Sequence, residues 1–530
     1  MNSRIINTLR QVGVVLFAVA ILAGFALLFY RAGIAYAFNA DAHYLPNVLD
    51  HLGGANEEIY LPGHTFANKI PFVLLVLRIL GNTYPYYSLL NLVFGFGWLI
   101  PIAAIVFAFQ RRDRSLPIRL LVFTVPLMTS TYFFMVTSSA TMRNAEHGLA
   151  YVMFFLAVRY VTSDKPGWRK WVLPALALLT YSLIVSDEFF LTGFVLPIVG
   201  LGSLLWLRRG SDGPNQMWRR GLRVSIVTVV SAALALLTLA FFKTWPQSPI
   251  HIAPNSDFLM NTYQGLARSV DLATRGTLDF LGAEFWGRSL SVSTIAQGLT
   301  VLMGLLALAG ALRLLFHAVA RYGGTNARLP ARTSKELFLL LVTASFVLTC
   351  AAYVGTNFAG DPTSTRYLNV LPIFVGTFCA LAPRFPYRKT FSRLTLVACL
   401  PILIINFTRV EENLERFAPR MDYYDALSTL IEQDNLKVGY SGYWNSFSTS
   451  FLTKADDVII PVSDCAPWPY IGTKSLFSMP PDFILIDRNG IDKVFWVNCS
   501  DAQLVTLYGP PTSTKTLRKG NETIEMWILK

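Results

Sequence analysis

The chain has 530 residues, of which 53% are hydrophobic and 15% charged, with a mean hydropathy of +0.45. A string of water-soluble domains is excluded, because apolar runs able to cross a hydrocarbon core, each needing roughly 20 residues as a helix, recur through the first 407 residues. The net charge of +13 does not mark a nucleic-acid binder, since the basic residues gather in short loops on alternate sides of those runs.

Lipid offers the backbone no hydrogen-bond partners, so each run is predicted as a helix. The first, Val12 to Tyr30, is too long for a signal-peptide core and lacks a small-residue cleavage site, so it is read as a retained span. Further spans are placed near 86–109, 117–137, 148–162, 171–186, 189–207, 224–242, 295–315, 337–356, 368–383 and 392–407, about eleven in all. Six basic clusters alternate with them. These are Arg4 and Arg10; Arg111, Arg112, Arg114 and Arg119; Lys165, Arg169 and Lys170; Arg208, Arg209, Arg219, Arg220 and Arg223; Arg321, Arg328, Arg332 and Lys335; and Arg384, Arg388, Lys389 and Arg393. The alternation predicts a cytoplasmic N-terminus and, with an odd number of spans, a C-terminal part outside.

Acidic residues and histidines fall mostly on the other face. The first predicted outer loop, about 31–85, holds Asp41, His43, Asp50, His51, Glu57, Glu58 and His64, followed by Lys69 and a half-length amphipathic stretch. The second reads "SSATMRNAEHG" and carries Arg143, Glu146 and His147; the third, "SDEFF", carries Asp187 and Glu188. The fourth, roughly 243–294, contains "FLMNTYQGLARSVDL" and "TLDFLGAEFWG", amphipathic stretches expected as helices lying in the interface. The fifth, "GDPTSTRYLNVLP", offers Arg366 and Tyr367.

From about 420 the chain changes character. A helical stretch, "YYDALSTLIEQD", precedes β-rich runs "KVGYSG", "DVIIPV", "DFILIDR", "KVFWVN" and "ETIEMWILK", separated by Pro, Gly, Asn and Asp. The expectation is therefore a polytopic α-helical membrane domain over 1–407 and a small extracytoplasmic α/β domain over 408–530. Cys350, Cys379 and Cys399 lie in apolar runs and are read as packing residues. Cys465 and Cys499, alone in the polar tail, are expected to form a disulfide in an oxidising compartment.

The order of first span, acidic first loop, juxtamembrane helices and second span resembles GT-C membrane glycosyltransferases, which use polyprenyl-phosphate-linked sugars. Asp41 stands where that family places its first-loop acid, Glu146 matches a second acidic position, and "TSTRYLNVLP" resembles an Arg-Tyr motif whose arginine meets the donor phosphate. "DAHY" lacks the paired Asp-Glu of protein mannosyltransferases and aminoarabinose transferases, and "GHTFANKIP" only loosely echoes their His-Pro-Pro element. The resemblance implies Asp41 and Glu146 as catalytic residues. Arg366, Tyr367, Lys69 and Arg143 are candidates for the donor phosphate, and His43, His64, His147, Asp187 and Glu188 for substrate or secondary roles. The implied partners are a polyprenyl-phosphate sugar donor and an extracytoplasmic glycan, lipid or protein acceptor, at a bacterial inner membrane. The sequence singles out no cofactor, and a divalent metal stays open.

Each residue also has a plainer role. Asp41 can cap a helix, Glu146 can pair with Arg143, Arg366 can snorkel at the interface, and Asp187 and Glu188 can be solvated carboxylates in a tight turn. Three histidines in the first loop can join acids around a metal, but without zinc-motif spacing. Competing functions are an O-antigen ligase or polymerase, argued against by the sizeable tail, and a transporter or flippase, which predicts repeats that are absent.

Overall fold

A computed structural model of the chain describes residues 3–36, 58–61, 69–110, 144–207, 217–252, 260–323, 333–381 and 388–530, apart from 82, 98, 164–165, 246, 282, 284–286, 288, 358, 360–361, 454–456, 470–471 and 497. The first helices are α1 (Ser3–Tyr36), α2 (Ile70–Leu80), α3 (Tyr84–Leu90) with a π-turn at Asn91–Phe96, and α4 (Leu99–Gln110). Next come α5 (Asn144–Thr162), α6 (Pro166–Ser186), a π-turn at Leu191–Val195, α7 (Leu196–Leu207) and α8 (Met217–Thr244). Then follow α9 (Tyr263–Phe280), α10 (Val292–Gly323), α11 (Thr333–Gly355), a 3-10 helix at Pro362–Asn369, α12 (Val370–Leu381) and α13 (Arg388–Gln433).

The chain is a multi-pass membrane protein. Among the described residues five helical stretches are long and apolar enough to cross a membrane: Val15–Gly33, Pro85–Phe109, Met217–Thr244, Gln297–His317 and Ser334–Gly355. They coincide with five of the spans expected from sequence. The expected span at 117–137 lies outside the described residues, and those at 148–162, 171–186, 189–207, 368–383 and 392–407 fall on helices that do not belong to these five. Helix α8 shows what its solvent is. Ile226, Val230, Leu234 and Leu237 recur at helical spacing and are 52–65% exposed, a row of large apolar side chains that suits hydrocarbon and not water.

Two compact units make up the chain, one of Met1–Phe29, Leu92–Thr238 and Ser256–Phe407, the other of Tyr30–Asn91, Leu239–Asn255 and Thr408–Lys530. In the first, α5 packs on α4, α6 and α11. Gly202 of α7 lies against α8 so closely that a Cβ there would be 2.7 Å from the Gly221 carbonyl, the small-residue contact by which membrane helices approach. The C-terminal end of α5 is met by cations. Arg220 donates to the carbonyls of Val161 (3.3 Å) and Ser163 (3.0 Å), and Arg169 donates to Ser163, so two predicted basic clusters satisfy the helix's last acceptors.

In the second unit the last part of α13 leads into an α/β fold built from β3 (Val438–Ser441), α14 (Tyr443–Leu452), β4 (Val458–Ser463), β5 (Ala466–Pro467), β6 (Gly472–Thr473), α15 (Lys474–Phe477), β7 (Phe483–Asp487), α16 (Asp501–Tyr508), β8 (Ser513–Lys519) and β9 (Glu522–Ile528). The sheet order is β5-β4-β3-β7-β9-β8, with β3 parallel to both β4 and β7. Strand β7 is buried at all five positions, which is why "FILID" reads as an unbroken apolar run. One of its faces packs Phe483 and Leu485 with Tyr423, Tyr424, Leu427 and Ile431 of α13; the other packs Ile484 and Ile486 with Tyr440, Ile460, Trp496 and Leu504. A smaller sheet, β2-β1-β6, joins Ile59–Leu61 (β1) to Ile250–Ile252 (β2) in parallel and to Gly472–Thr473 antiparallel.

Four of the five predicted β-runs become β3, β4, β7 and β9. "KVFWVN" does not: Ile491–Phe495 is a 3-10 turn. The turn is held there because the Asp492 carboxylate accepts the backbone N–H groups of Trp444 (2.9 Å) and Asn445 (2.6 Å) at the start of α14, so the segment anchors a helix and makes no ladder. The Cys465–Cys499 disulfide is formed, with Cα atoms 5.4 Å apart.

Asp492 makes this unit sensitive to pH. Its burial pushes the carboxyl up to about 7, although the Trp444 and Asn445 N–H groups and the Lys519 charge pull it down. The folded state therefore holds the proton more tightly than the unfolded chain, and this group's stabilising contribution is full in acid and lost as pH rises from about 4 through about 7. Limited proteolysis of the full protein should find the C-terminal part more resistant at pH 5 than at pH 7.5, and Asp492→Asn should flatten the difference. Unchanged pH dependence in the variant would assign the effect elsewhere.

Candidate active site

Three of the predicted outer loops meet in the first unit at the N-terminal end of α5. This helix starts at Asn144, so "NAEHG" becomes its first turn and Glu146 lies where an acid complements the helix dipole. Glu146 and His147 are both buried, at 1% and 0% exposure, which is not where a merely solvated pair would sit. The His147 ring packs against Phe190 (centroids 5.3 Å) and Phe194 (5.6 Å), and its Nε2 lies 2.8 Å from Asn369 Oδ1. With the amide oxygen as acceptor, the imidazole carries its proton on Nε2.

The third loop follows α6. Asp187 is buried, correcting the expectation of a solvated turn carboxylate, and its Oδ1 accepts the Phe189 N–H at 2.9 Å. Glu188 is half-buried. The turn turns both phenylalanines inward: Phe190 reaches His147, and Phe189 packs on Tyr367 with centroids 6.0 Å apart.

Arg366 and Tyr367 stand half-buried on the 3-10 helix before α12, with the guanidinium carbon 5.5 Å from the Tyr367 ring centroid. On the same turn Thr365 and Asn369 are buried, and Ser364 shares a 3.0 Å hydrogen bond with Tyr353 of α11. Helix α9 of the fourth loop lies on this turn. A Cβ at Gly276 would stand 2.7 Å from Thr365 Cβ, so only glycine allows the approach. Its N-terminal side is tied down by Asn261, whose Nδ2 donates to Ser269 Oγ (2.8 Å) and to the carbonyls of Val354 (2.8 Å) and Thr356 (2.7 Å). Thr262 caps α9, accepting the Gly265 N–H at 3.1 Å. The first amphipathic stretch of the fourth loop is thus helical from Tyr263, while the second is helical only up to Phe280.

The structure thus brings together Glu146, His147, Asp187, Glu188, Arg366 and Tyr367 on neighbouring turns. Asp41, His43, His51, His64 and Arg143 lie outside the described residues, as does the Glu146–Arg143 pairing. Lys69 belongs to the second unit, where it is buried just before α2. Among the described residues no group of three His, Cys, Asp or Glu side chains is placed to hold a metal ion.

Sequence reasoning passed over Asn369, Asn261 and Gly276, and it placed Glu58 in the first loop without its partners. Asn369 follows Arg366 by three residues, one turn on, a spacing that could have flagged it. Glu58, at the edge of β1, bonds Lys474 Nζ at 2.7 Å and His251 Nε2 at 3.0 Å; Lys474 above all holds its carboxyl below the ordinary range. Tyr60 stacks on His251 at 4.8 Å. Segments of the first loop, the fourth loop and the C-terminal part are thereby joined within the second unit.

No family model matches the sequence, and no curated protein matches it significantly. Two crystal structures of ArnT from Cupriavidus metallidurans are similar to the chain over 96% of its length and 97% of theirs. The one bound to undecaprenyl phosphate has a TM-score of 0.42 at 10% identity, and the one in the apo state 0.39 at 11%. At a TM-score below 0.5 the likeness adds no argument of its own.

Proposed function

We propose that this protein is a membrane glycosyltransferase that moves one monosaccharide from a polyprenyl-phosphate donor to an extracytoplasmic glycan, lipid or protein acceptor. The observation that supports it is the gathering of the buried Glu146, His147 and Asp187 with the half-buried Arg366 on adjoining turns. Buried carboxylates are costly in a membrane protein and mark chemistry more often than packing. Donor lipids present their sugar C1 at the membrane surface, where such turns lie in the proposed topology of about eleven spans, an N-terminus in the cytoplasm and a C-terminal part in the periplasm.

In the reaction, the acceptor hydroxyl oxygen bonds to C1 as the bond from C1 to the phosphate oxygen breaks. Asp41 takes the hydroxyl proton, and the electron pair leaves with polyprenyl phosphate. Arg366 offers that phosphate a planar pair of N–H donors, and Arg143 is a further cation for it. Glu146 orients the acceptor. His147, held by Asn369, keeps the Glu146 helix and the Arg366 turn in register. The test is purified protein in lipid given a panel of polyprenyl-phosphate sugars with a competent acceptor. Release of polyprenyl phosphate from one of them is expected, and release from none would turn the reading towards transport.

A further inference from the structure

The C-terminal α/β part has a feature that the transfer site does not use. Three aromatic-bearing segments, "GYSGYWNSF", "DCAPWP" and "DKVFW", follow three parallel strands. Leaving β3, the chain enters α14 with Tyr443 and Trp444; leaving β4, it turns through β5 to Trp468; leaving β7, it reaches the 3-10 turn with Phe495. Strand β3 lies between β4 and β7, so the chain departs from it first to one side and then returns on the other. Open α/β sheets bind ligands outside the carboxyl ends of their strands at such a switch point.

The rings meet there. Tyr443 is buried at the centre, with centroids 5.2 Å from Trp444, 6.0 Å from Trp468 and 6.4 Å from Phe495, and Trp468 lies 5.9 Å from Phe495 at a 38° tilt. A cluster serving only as core would bury all four, yet Trp444, Trp468 and Phe495 stay half-buried. The loops that carry them are also rigid beyond what packing asks. The Cys465–Cys499 disulfide ties the turn leading to Trp468 to the loop following Phe495, and Asn498 Nδ2 donates to Asp464 at 2.9 Å across the same junction. The Trp468 N–H is fixed to the Pro461 carbonyl at 2.8 Å, and Asp492 binds the first turn of α14 beneath Trp444. Asp464 and Cys465 are held at φ of 52° and 68°, the left-handed region that costs a non-glycine residue energy and is maintained mainly at functional sites.

We propose that Trp444, Trp468 and Phe495, seated around Tyr443, form a saccharide-binding platform that holds a glycan acceptor. A sugar ring has an apolar C–H face, which a fixed aromatic face covers at little entropic cost, and an edge of oxygens. The acceptor role rests on the glycosyltransferase reading; the binding does not.

The test uses the full chain in lipid nanodiscs and a panel of neutral mannan, galactan, glucan and arabinan oligosaccharides of three to six units, followed by tryptophan fluorescence and by saturation-transfer NMR. At least one should bind saturably. Trp468→Ala and Trp444→Ala should each weaken it by roughly tenfold, the scale of an aromatic anchor, while Trp468→Phe keeps most of the affinity. Intact Cys465–Cys499 pairing in each variant shows that the fold survives. No saturable binding by any oligosaccharide, binding indifferent to both alanine variants, or binding of an unglycosylated peptide alone would overturn the platform. Saccharide binding without any release of polyprenyl phosphate from sugar donors would leave the platform standing and remove the transferase reading.

Discussion

Asp41→Asn is expected to lower sugar transfer by roughly 10²–10⁴-fold, the usual contribution of general-base assistance, with expression and donor binding unchanged. The acceptor hydroxyl is a poor nucleophile until its proton is accepted, and the amide accepts none. The first loop is short of alternatives. Glu58 is already engaged by Lys474 and His251, which leaves Asp41, Asp50 and Glu57 as its other acids, and Asp41 alone stands at the family's position. The comparison to make is single-turnover transfer at saturating donor, with donor binding measured separately. A rate near wild type would assign Asp41 to helix capping. The same measurement on Glu146→Gln should show a smaller loss, in acceptor KM more than in turnover.

Arg366→Ala should raise the donor concentration needed for half-maximal rate by roughly 10–100-fold, as expected where a charged hydrogen bond is lost. Arg366→Lys should recover only part of this, because an ammonium cannot bind a phosphate through two parallel N–H groups. The position of the guanidinium is set by its surroundings, over the Tyr367 ring and one turn from the buried Asn369 that meets His147. A plainly interfacial arginine would behave differently: both variants would leave donor dependence untouched, and the Arg-Tyr match would then be a coincidence of sequence.

Much of this was legible because lipid and buried strands simplify the code. Runs such as 224–242 and 337–356 carry enough apolar length to declare a span without help from tertiary contacts, and "FILID" is apolar throughout because β7 is covered on both faces. Strand β8, "STKTLRK", was missed because it is an edge strand whose side chains are largely exposed, so no apolar alternation marks it. The three-residue β1 and β2 exist only as partners of one another, with β1 also pairing β6, and no local propensity announces them. "KVFWVN" was misread because β-branched and aromatic residues also suit a turn pinned by Asp492. At the site, charge and motif pointed to Glu146, His147 and Arg366. The residues that hold them, Asn369, Asn261 and Gly276, work through contacts some 90 to 220 positions away in sequence, which no local pattern records.

The central claim is that the protein breaks the bond between the sugar and the lipid phosphate, and does not merely carry the lipid-linked sugar across. A donor labelled with tritium in the sugar and carbon-14 in the polyprenyl chain decides it, in proteoliposomes supplied with acceptor. Transfer predicts that the two labels separate, tritium passing to acceptor with one polyprenyl phosphate formed per sugar, and that Asp41→Asn suppresses the separation. Both labels staying in one molecule, now accessible on the opposite leaflet, would contradict the account.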